Sequence, residues 1–230
     1  MCGRYALYGP RWRSRAEREY FESLDIFPPR YNVAPTDVMP ITILRDGVPV
    51  VVSARWGLVG RKAADVKSGA RKIVAPCEKL TTWAEYRVPY RAKQRCLVPA
   101  CGFYEWTGSP AERQPYYFLS PEHTLLAFAG LWEQWTQPDG KPLLSYTIIT
   151  TEPNDLSRRF HDRMPVVLEE KDYGEWLTSD DPRGLLKPCH NEALINYPVS
   201  KRVNSVMTKV NGVAVKNDDP SLVEPIAIQA

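Results

Sequence analysis

A cysteine stands directly after the initiator methionine, in Met1-Cys2-Gly3-Arg4-Tyr5. Small second residues permit removal of that methionine, which would leave Cys2 with a free α-amine and a thiol on adjacent carbons. An α-amine titrates at about 7.7–8.0, so it keeps a reactive neutral fraction near pH 7 and attacks an aldehyde to give a Schiff base. An unperturbed thiol, titrating at about 8.5, adds to that imine and closes a five-membered thiazolidine ring. No other standard N-terminal residue offers this pair. A second-position cysteine also occurs by chance and stays inert, so the rest of the chain has to separate the two cases.

Glu105 lies within the apolar run Gly102-Phe103-Tyr104-Glu105-Trp106. In a strand, Phe103, Glu105 and Thr107 share one face, and Tyr104 and Trp106 the other. If the first face lines a cleft, desolvation raises the carboxyl pKa and suits it to proton transfer. Otherwise Glu105 is an ordinary carboxylate on a strand surface. His161, one of three histidines, falls in a loop before Pro165. It is either a proton shuttle or a surface histidine. Arg4 and Arg163 can clamp phosphate bidentately or serve as plain surface charge. Asn32 binds a ligand or caps a turn. Cys2, Glu105 and His161 are too far apart in sequence for spacing to show that they meet.

The 230 residues suffice for a packed core, and 43% apolar with 25% charged content is ordinary for a globular protein. The 21 prolines indicate many loops and interrupted strands. A net charge of +3 permits nucleic-acid binding through a local basic face without arguing for it. Five cysteines form no paired spacing that suggests a disulfide framework, which points to a reducing interior. Cys96 and Cys101 lack a second pair, and Cys189-His190 is a single local cluster, so a structural zinc is not expected. The arginine-rich start has no apolar run behind it, and no segment approaches membrane-spanning length. The expectation is a soluble cytoplasmic protein, nucleoid-associated in a bacterium, with no membrane partner; protein partners are left open.

The positioning elements follow in order. Ser14-Arg15-Ala16-Glu17 has capping-box form, with Ala16, Tyr20, Phe21 and Leu24 at helical spacing behind it. Residues 31–36 read as a proline-punctuated loop. Asp46-Gly47 between two β-branched runs predicts a hairpin. Residues 60–72 are basic and read as a mobile surface loop. A second helix is expected from a Thr82 cap, carrying Trp83, Tyr86 and Tyr90 inward. Runs at 116–119, 125–132 and 143–150 predict a β meander, followed by a helical turn within 154–160 and a short helix carrying Tyr173, Trp176 and Leu177. The chain is read as one domain over 1–230, with a C-terminal tail at about 218–230. Its expected class is α+β, with an antiparallel, barrel-like β core and flanking short helices.

Met1-Cys2-Gly3-Arg4-Tyr5, Arg30-Tyr31-Asn32-Val33-Ala34-Pro35-Thr36, Arg55-Trp56-Gly57-Leu58, Cys96-Leu97-Val98-Pro99-Ala100, Gly102-Phe103-Tyr104-Glu105-Trp106, Phe128-Ala129-Gly130-Leu131-Trp132, His161-Asp162-Arg163-Met164-Pro165 and Tyr197-Pro198-Val199-Ser200 occur in that order. Together this set resembles the SOS response-associated peptidase family, the abasic-site processing proteins. The resemblance covers almost the whole chain. It implies a β-barrel-like core, a positively charged channel for single-stranded DNA, and covalent capture of abasic sites through the mature N-terminal cysteine. It also implies a thiol autopeptidase that removes its own N-terminal residues, and it calls for no metal or organic cofactor.

Carried over position by position, the resemblance gives Cys2 the aminothiol role, Glu105 acid–base and amine positioning, and His161 proton transfer. Arg4 and Arg163 fall where the family contacts phosphate, and Asn32 and Trp106 lie in family motifs. One segment departs. Where the family carries Asn-Ala-Arg-x-Glu, this chain reads Val74-Ala75-Pro76-Cys77-Glu78. Losing a charge-assisted hydrogen bond costs about 1.5–3 kcal/mol, roughly ten- to a hundredfold in binding. The expectation is weakened activity, with Arg71 or Lys72 as a partial replacement for the missing cation. Two other readings stand beside covalent capture: a thiol peptidase using Cys2 and His161, and a non-catalytic binder of single-stranded DNA.

Overall fold

The computed structural model describes residues 3–9, 11–109 and 112–227. Among these, the strands are β1 (Tyr5–Leu7), β2 (Arg30–Val33), β3 (Val38–Arg45), β4 (Val48–Trp56), β5 (Val74–Pro76), β6 (Arg95–Ala100), β7 (Gly102–Thr107) and β8 (Gln114–Leu119). They continue with β9 (Leu126–Thr136), β10 (Pro142–Thr151), β11 (Met164–Pro165), β12 (Val167–Leu168), β13 (Ile195–Pro198), β14 (Met207–Val210) and β15 (Val213–Lys216). The α-helices α1 (Arg15–Tyr20), α2 (Ala84–Arg91), α3 (Asp155–Arg158) and α4 (Tyr173–Thr178) are all short. None is long and apolar enough to cross a membrane.

Asp46 and Gly47 turn the chain at positive φ, and β3 and β4 pair without a break from Arg45–Val48 to Val38–Arg55. β3 also pairs with β6, β6 with β9, and β9 with β10. β10 then meets β4 in parallel, at Ser145–Arg55 and Tyr146–Trp56, and the five strands close into a barrel. Closure leaves no free edge in that ring. Its interior holds Ile41, Ala54, Trp56, Val98, Phe128, Tyr146 and Ile148, each fully or almost fully buried.

A second, antiparallel sheet runs β13-β8-β7-β1-β2. Its strand alternation is two-sided. Tyr5, Phe103 and Phe118 face the barrel core, whereas Ala6, Tyr104, Tyr117 and Leu119 form a second cluster with Val199, Val203 and Leu222. Tyr5 anchors the first strand: its ring meets Trp56 edge-on at 5.2 Å, and its hydroxyl hydrogen-bonds to that of Tyr146 at 2.7 Å. Residues 218–227 are packed through Leu222 and through a bridge between Val199 and Pro225.

Several sequence expectations are corrected. Residues 30–33 form a strand because they pair with β1, Tyr5 opposite Val33 and Leu7 opposite Arg30, and Asp218 accepts the N–H groups of Tyr31 and Asn32 and pairs with Arg30. Only the second hairpin of the expected meander forms: β9 and β10 pair antiparallel in the barrel, whereas β8 pairs with β7 and β13 in the other sheet. Thr82 does not cap the second helix; Trp83 occupies the N-cap without a side-chain bond and is 47% exposed rather than inward. Tyr86 and Tyr90 are buried as expected. The 60–72 segment contains a 3-10 turn at Val66–Arg71 and contacts the barrel. Arg61 binds the buried Glu133 carboxylate, and Gly69 lies so close to Gly57 that a Cβ on it would come within 2.4 Å of the Gly57 carbonyl oxygen. The Ser14 cap is as expected, accepting from Glu17 N–H at 2.9 Å, but the Glu17 carboxylate reaches back to Arg13 N–H.

Candidate functional site

β7 pairs antiparallel with β1, Tyr5 opposite Phe103 and Ala6 opposite Gly102. A bond from Tyr104 N–H to the Arg4 carbonyl at 3.0 Å extends that register, so Gly3, the first described residue, runs alongside Glu105. Cys2 lies outside the described residues. Glu105 shares the face of Phe103 and is only 3% exposed. Burial pushes its carboxyl up to about 7, and the nearby Asp162 carboxylate pushes the same way. The plain surface carboxylate is therefore excluded. A carboxyl poised near neutrality both donates and accepts protons under ordinary conditions.

Across the strand pair, Glu105 faces Tyr116, whose ring packs against Phe160 at 4.8 Å. Phe160 ends the turn begun by α3, and His161 follows it. His161 is half-buried and joins Arg163, Asp162, Val74, Pro76, Glu78, Lys79 and Thr150 around an open cavity of about 530 Å³. Its Nδ1 accepts the Arg163 backbone N–H at 3.0 Å, while Asp162 Oδ1 lies 2.6 Å from the same nitrogen. One nitrogen cannot serve both, since the first contact needs a lone pair and the second a proton. Desolvation lowers the imidazole pKa, which favours the neutral ring, with Nδ1 accepting and the proton on Nε2. Asp162, 85% exposed, is free to turn to solvent.

Arg163 presents a fork to Glu78, with contacts of 2.6 and 3.0 Å, and also donates to the Thr150 carbonyl. The Glu78 carboxyl is held below its ordinary range by this guanidinium. Val74 and Pro76 reach the cavity because β5 pairs in parallel with β10, Val74 opposite Ile148 and Pro76 opposite Thr150. Arg71 and Lys72 do not line it.

Asn32 is buried and spends its amide internally. Its Oδ1 accepts from Arg4 at 2.7 Å, and its Nδ2 donates to the carbonyls of Ser205 and Asn217. Arg4 also donates to the Val203 carbonyl. Asn32 thus orients Arg4 and ties down both ends of the β14–β15 hairpin. Trp106 is half-buried and donates its indole N–H to Asn204 Oδ1 at 2.7 Å.

Burial pushes the other thiols up: Cys101 to about 11, Cys189 to about 12, with Cys77 and Cys96 also raised. None of these described thiols is tuned toward thiolate. A larger cavity of about 750 Å³ holds Cys189 and His190 but shares no lining residue with the His161 cavity, and its thiol is suppressed. Chemistry favours the smaller cavity. Among the described residues no three His, Cys, Asp or Glu side chains gather to hold a metal. Sequence reading overlooked Lys79, Thr150 and Asp162 as cavity residues, and Glu78 as the partner of Arg163. For Asp162 and Glu78 the available signal was adjacency to His161 and to the departing Val-Ala-Pro-Cys segment.

Comparison with known proteins bears on the fold and the family. A Bacteroides thetaiotaomicron protein of known crystal structure superposes with a TM-score of 0.77 over 98% of this chain and 100% of its own, at 22% identity, which establishes the fold. The Bacillus subtilis abasic site processing protein YoqW is 38% identical over 97% of this chain and 99% of its own length. The Gallus gallus abasic site processing protein HMCES is 28% identical over 99% of this chain and 79% of its own. The family model described as SOS response associated peptidase (SRAP) matches residues 1–206, a span that takes in β1, the Glu105 strand and the His161 cavity. With that match and the YoqW likeness, the chain belongs to the SRAP family.

Proposed function

We propose that this protein processes abasic sites in DNA by covalent capture, and that single-stranded DNA is the preferred form. The observation that carries the reading is the buried Glu105 carboxyl, raised to about 7, in the strand paired with the chain's first strand. The Cys2 amine, exposed by loss of Met1, attacks the aldehyde carbon of the ring-opened sugar. Loss of water from the carbinolamine gives the imine, with Glu105 delivering the proton that lets hydroxide leave as water. The thiol sulfur then adds to the imine carbon and its proton passes to the imine nitrogen, neutral His161 serving as relay. Aldehyde plus aminothiol gives thiazolidine plus water. The imine also opens a lyase route, in which a base removes the adjacent sugar proton and the 3′ phosphate is eliminated.

Arg4 and Arg163 are suited to phosphate, and Trp106 to a base. Val74 and Pro76 leave the cavity without an amide or a cation at their positions, and Arg163 is already engaged by Glu78. Both features favour weaker capture. The test is a denaturing gel after mixing the protein with an oligonucleotide carrying one abasic site. Wild type forms a heat-stable adduct and Cys2→Ala does not; an equal adduct from Cys2→Ala refutes the mechanism. Salt-sensitive binding without any adduct assigns the protein to non-catalytic strand binding instead.

A second reading, a thiol peptidase acting on its own terminus through Cys2, is favoured by the neutral His161 ring, a competent general base. It predicts that Met1 is retained in His161→Ala by intact mass. Loss of Met1 in both proteins points to ordinary aminopeptidase trimming.

A further inference from the structure

We propose that Trp83, with Lys79 beside it, is a stacking platform for an unpaired nucleobase next to the His161 cavity. The inference rests on the single-stranded DNA reading above and adds a subsite to it. Trp83 occupies the N-cap of α2, where a small side chain carrying a hydrogen-bond acceptor is the usual choice, and it makes no capping bond. It is also 47% exposed, although an indole ordinarily buries most of its surface. The indole supplies no hydrogen bond to the helix start.

The exposed ring is nevertheless held in place. Tyr86, one turn on, stacks against it with centroids 6.2 Å apart and planes 11° apart. Tyr86 is itself buried and donates its hydroxyl to the Val74 carbonyl at 3.2 Å, which ties it to the strand lining the cavity. The Lys79 ammonium lies 5.2 Å from the Trp83 ring centroid, and Lys79 also lines the cavity with His161 and Arg163. One side chain therefore joins platform and cavity. Pre-ordering of this kind reduces the entropy lost when a ligand stacks.

The chemistry selects the occupant. Every base offers a π face, so an open indole accepts any of them, and a neighbouring ammonium supplies charge for the phosphate that follows. Residues 79–91 carry Lys79, Arg87 and Arg91 against Glu85, which suits a polyanion. The fitting ligand is a base flanking the abasic sugar, with its phosphate near Lys79.

The experiment measures fluorescence anisotropy with a labelled oligothymidylate containing one tetrahydrofuran abasic analogue, which lacks the aldehyde and forms no adduct. A second oligonucleotide replaces the neighbouring nucleotides on both sides with baseless spacers. On the first, Trp83→Ala is expected to weaken binding about five- to a hundredfold, and Trp83→Phe to restore most of it. On the second, wild type and Trp83→Ala should bind alike. Equal binding of wild type and Trp83→Ala to the first oligonucleotide overturns the platform. So does a loss of the same size on both. Failure of wild type to bind either overturns the single-stranded DNA reading itself, and the platform with it.

Discussion

Replacing Glu105 by Gln tests whether that carboxyl is held near neutrality by burial. Burial in the folded chain pushes it up to about 7, from an ordinary value of 4.5. Below pH 4.5 both folded and unfolded chains hold the proton, and the group leaves stability unchanged. Between the two values the unfolded chain has lost the proton and the folded chain retains it, so stability falls as pH rises. Above 7 both are ionised and the penalty is complete. A difference of about 2.5 units at 1.36 kcal/mol each amounts to roughly 3 kcal/mol, most of it appearing between pH 5 and pH 8. Gln keeps the shape and does not titrate, while the other carboxylates and histidines titrate in both proteins and cancel. Urea denaturation of the two proteins from pH 5 to pH 8 should therefore show Glu105→Gln gaining on wild type as pH rises. In thermal melts the gain corresponds to about 5–10 °C at the alkaline end. A stability difference independent of pH would refute the claim that Glu105 is desolvated, and with it the proton-transfer role.

The remaining predictions concern residues around this carboxyl. Val74→Asn with Pro76→Arg should raise adduct yield or oligonucleotide affinity about ten- to a hundredfold by regaining a charge-assisted contact. Pro76 sits at φ −61° and ψ 130°, which arginine adopts without strain. Unchanged binding in anisotropy titrations would mean that these two positions do not face the DNA. Asn32→Ala removes three hydrogen bonds made by a buried side chain, one of them to a guanidinium, and should cost about 3–4 kcal/mol in urea denaturation. A loss below about 1 kcal/mol would show that Asn32 does not anchor Arg4 and the hairpin ends.

Signals confined to a few neighbouring residues were legible in the sequence. Asp46-Gly47 forms its hairpin, Ser14 caps its helix, and Phe103 and Tyr104 point to opposite faces as strand alternation requires. Errors arose where a distant partner overrode a local preference. Tyr31 and Asn32 look like loop residues until Asp218, more than 180 positions away, satisfies their edge. The second helix is capped at Trp83 rather than at Thr82, and the Trp83 ring stacks on Tyr86 and meets Lys79. β8 and β9 are adjacent in sequence yet belong to different sheets, a choice made by the parallel closure of β10 on β4.

The amino-acid order alone determined the available chemistry, an aminothiol at the second position with a carboxyl and an imidazole elsewhere, and the motif series that marks the family. Only the tertiary structure decided that Glu105 is desolvated, that His161 shares a cavity with Val74 and Pro76, and that Arg163 is paired with Glu78. Desolvation and charge pairing depend on what packs within a few ångströms, and here those neighbours come from strands and turns far apart along the chain.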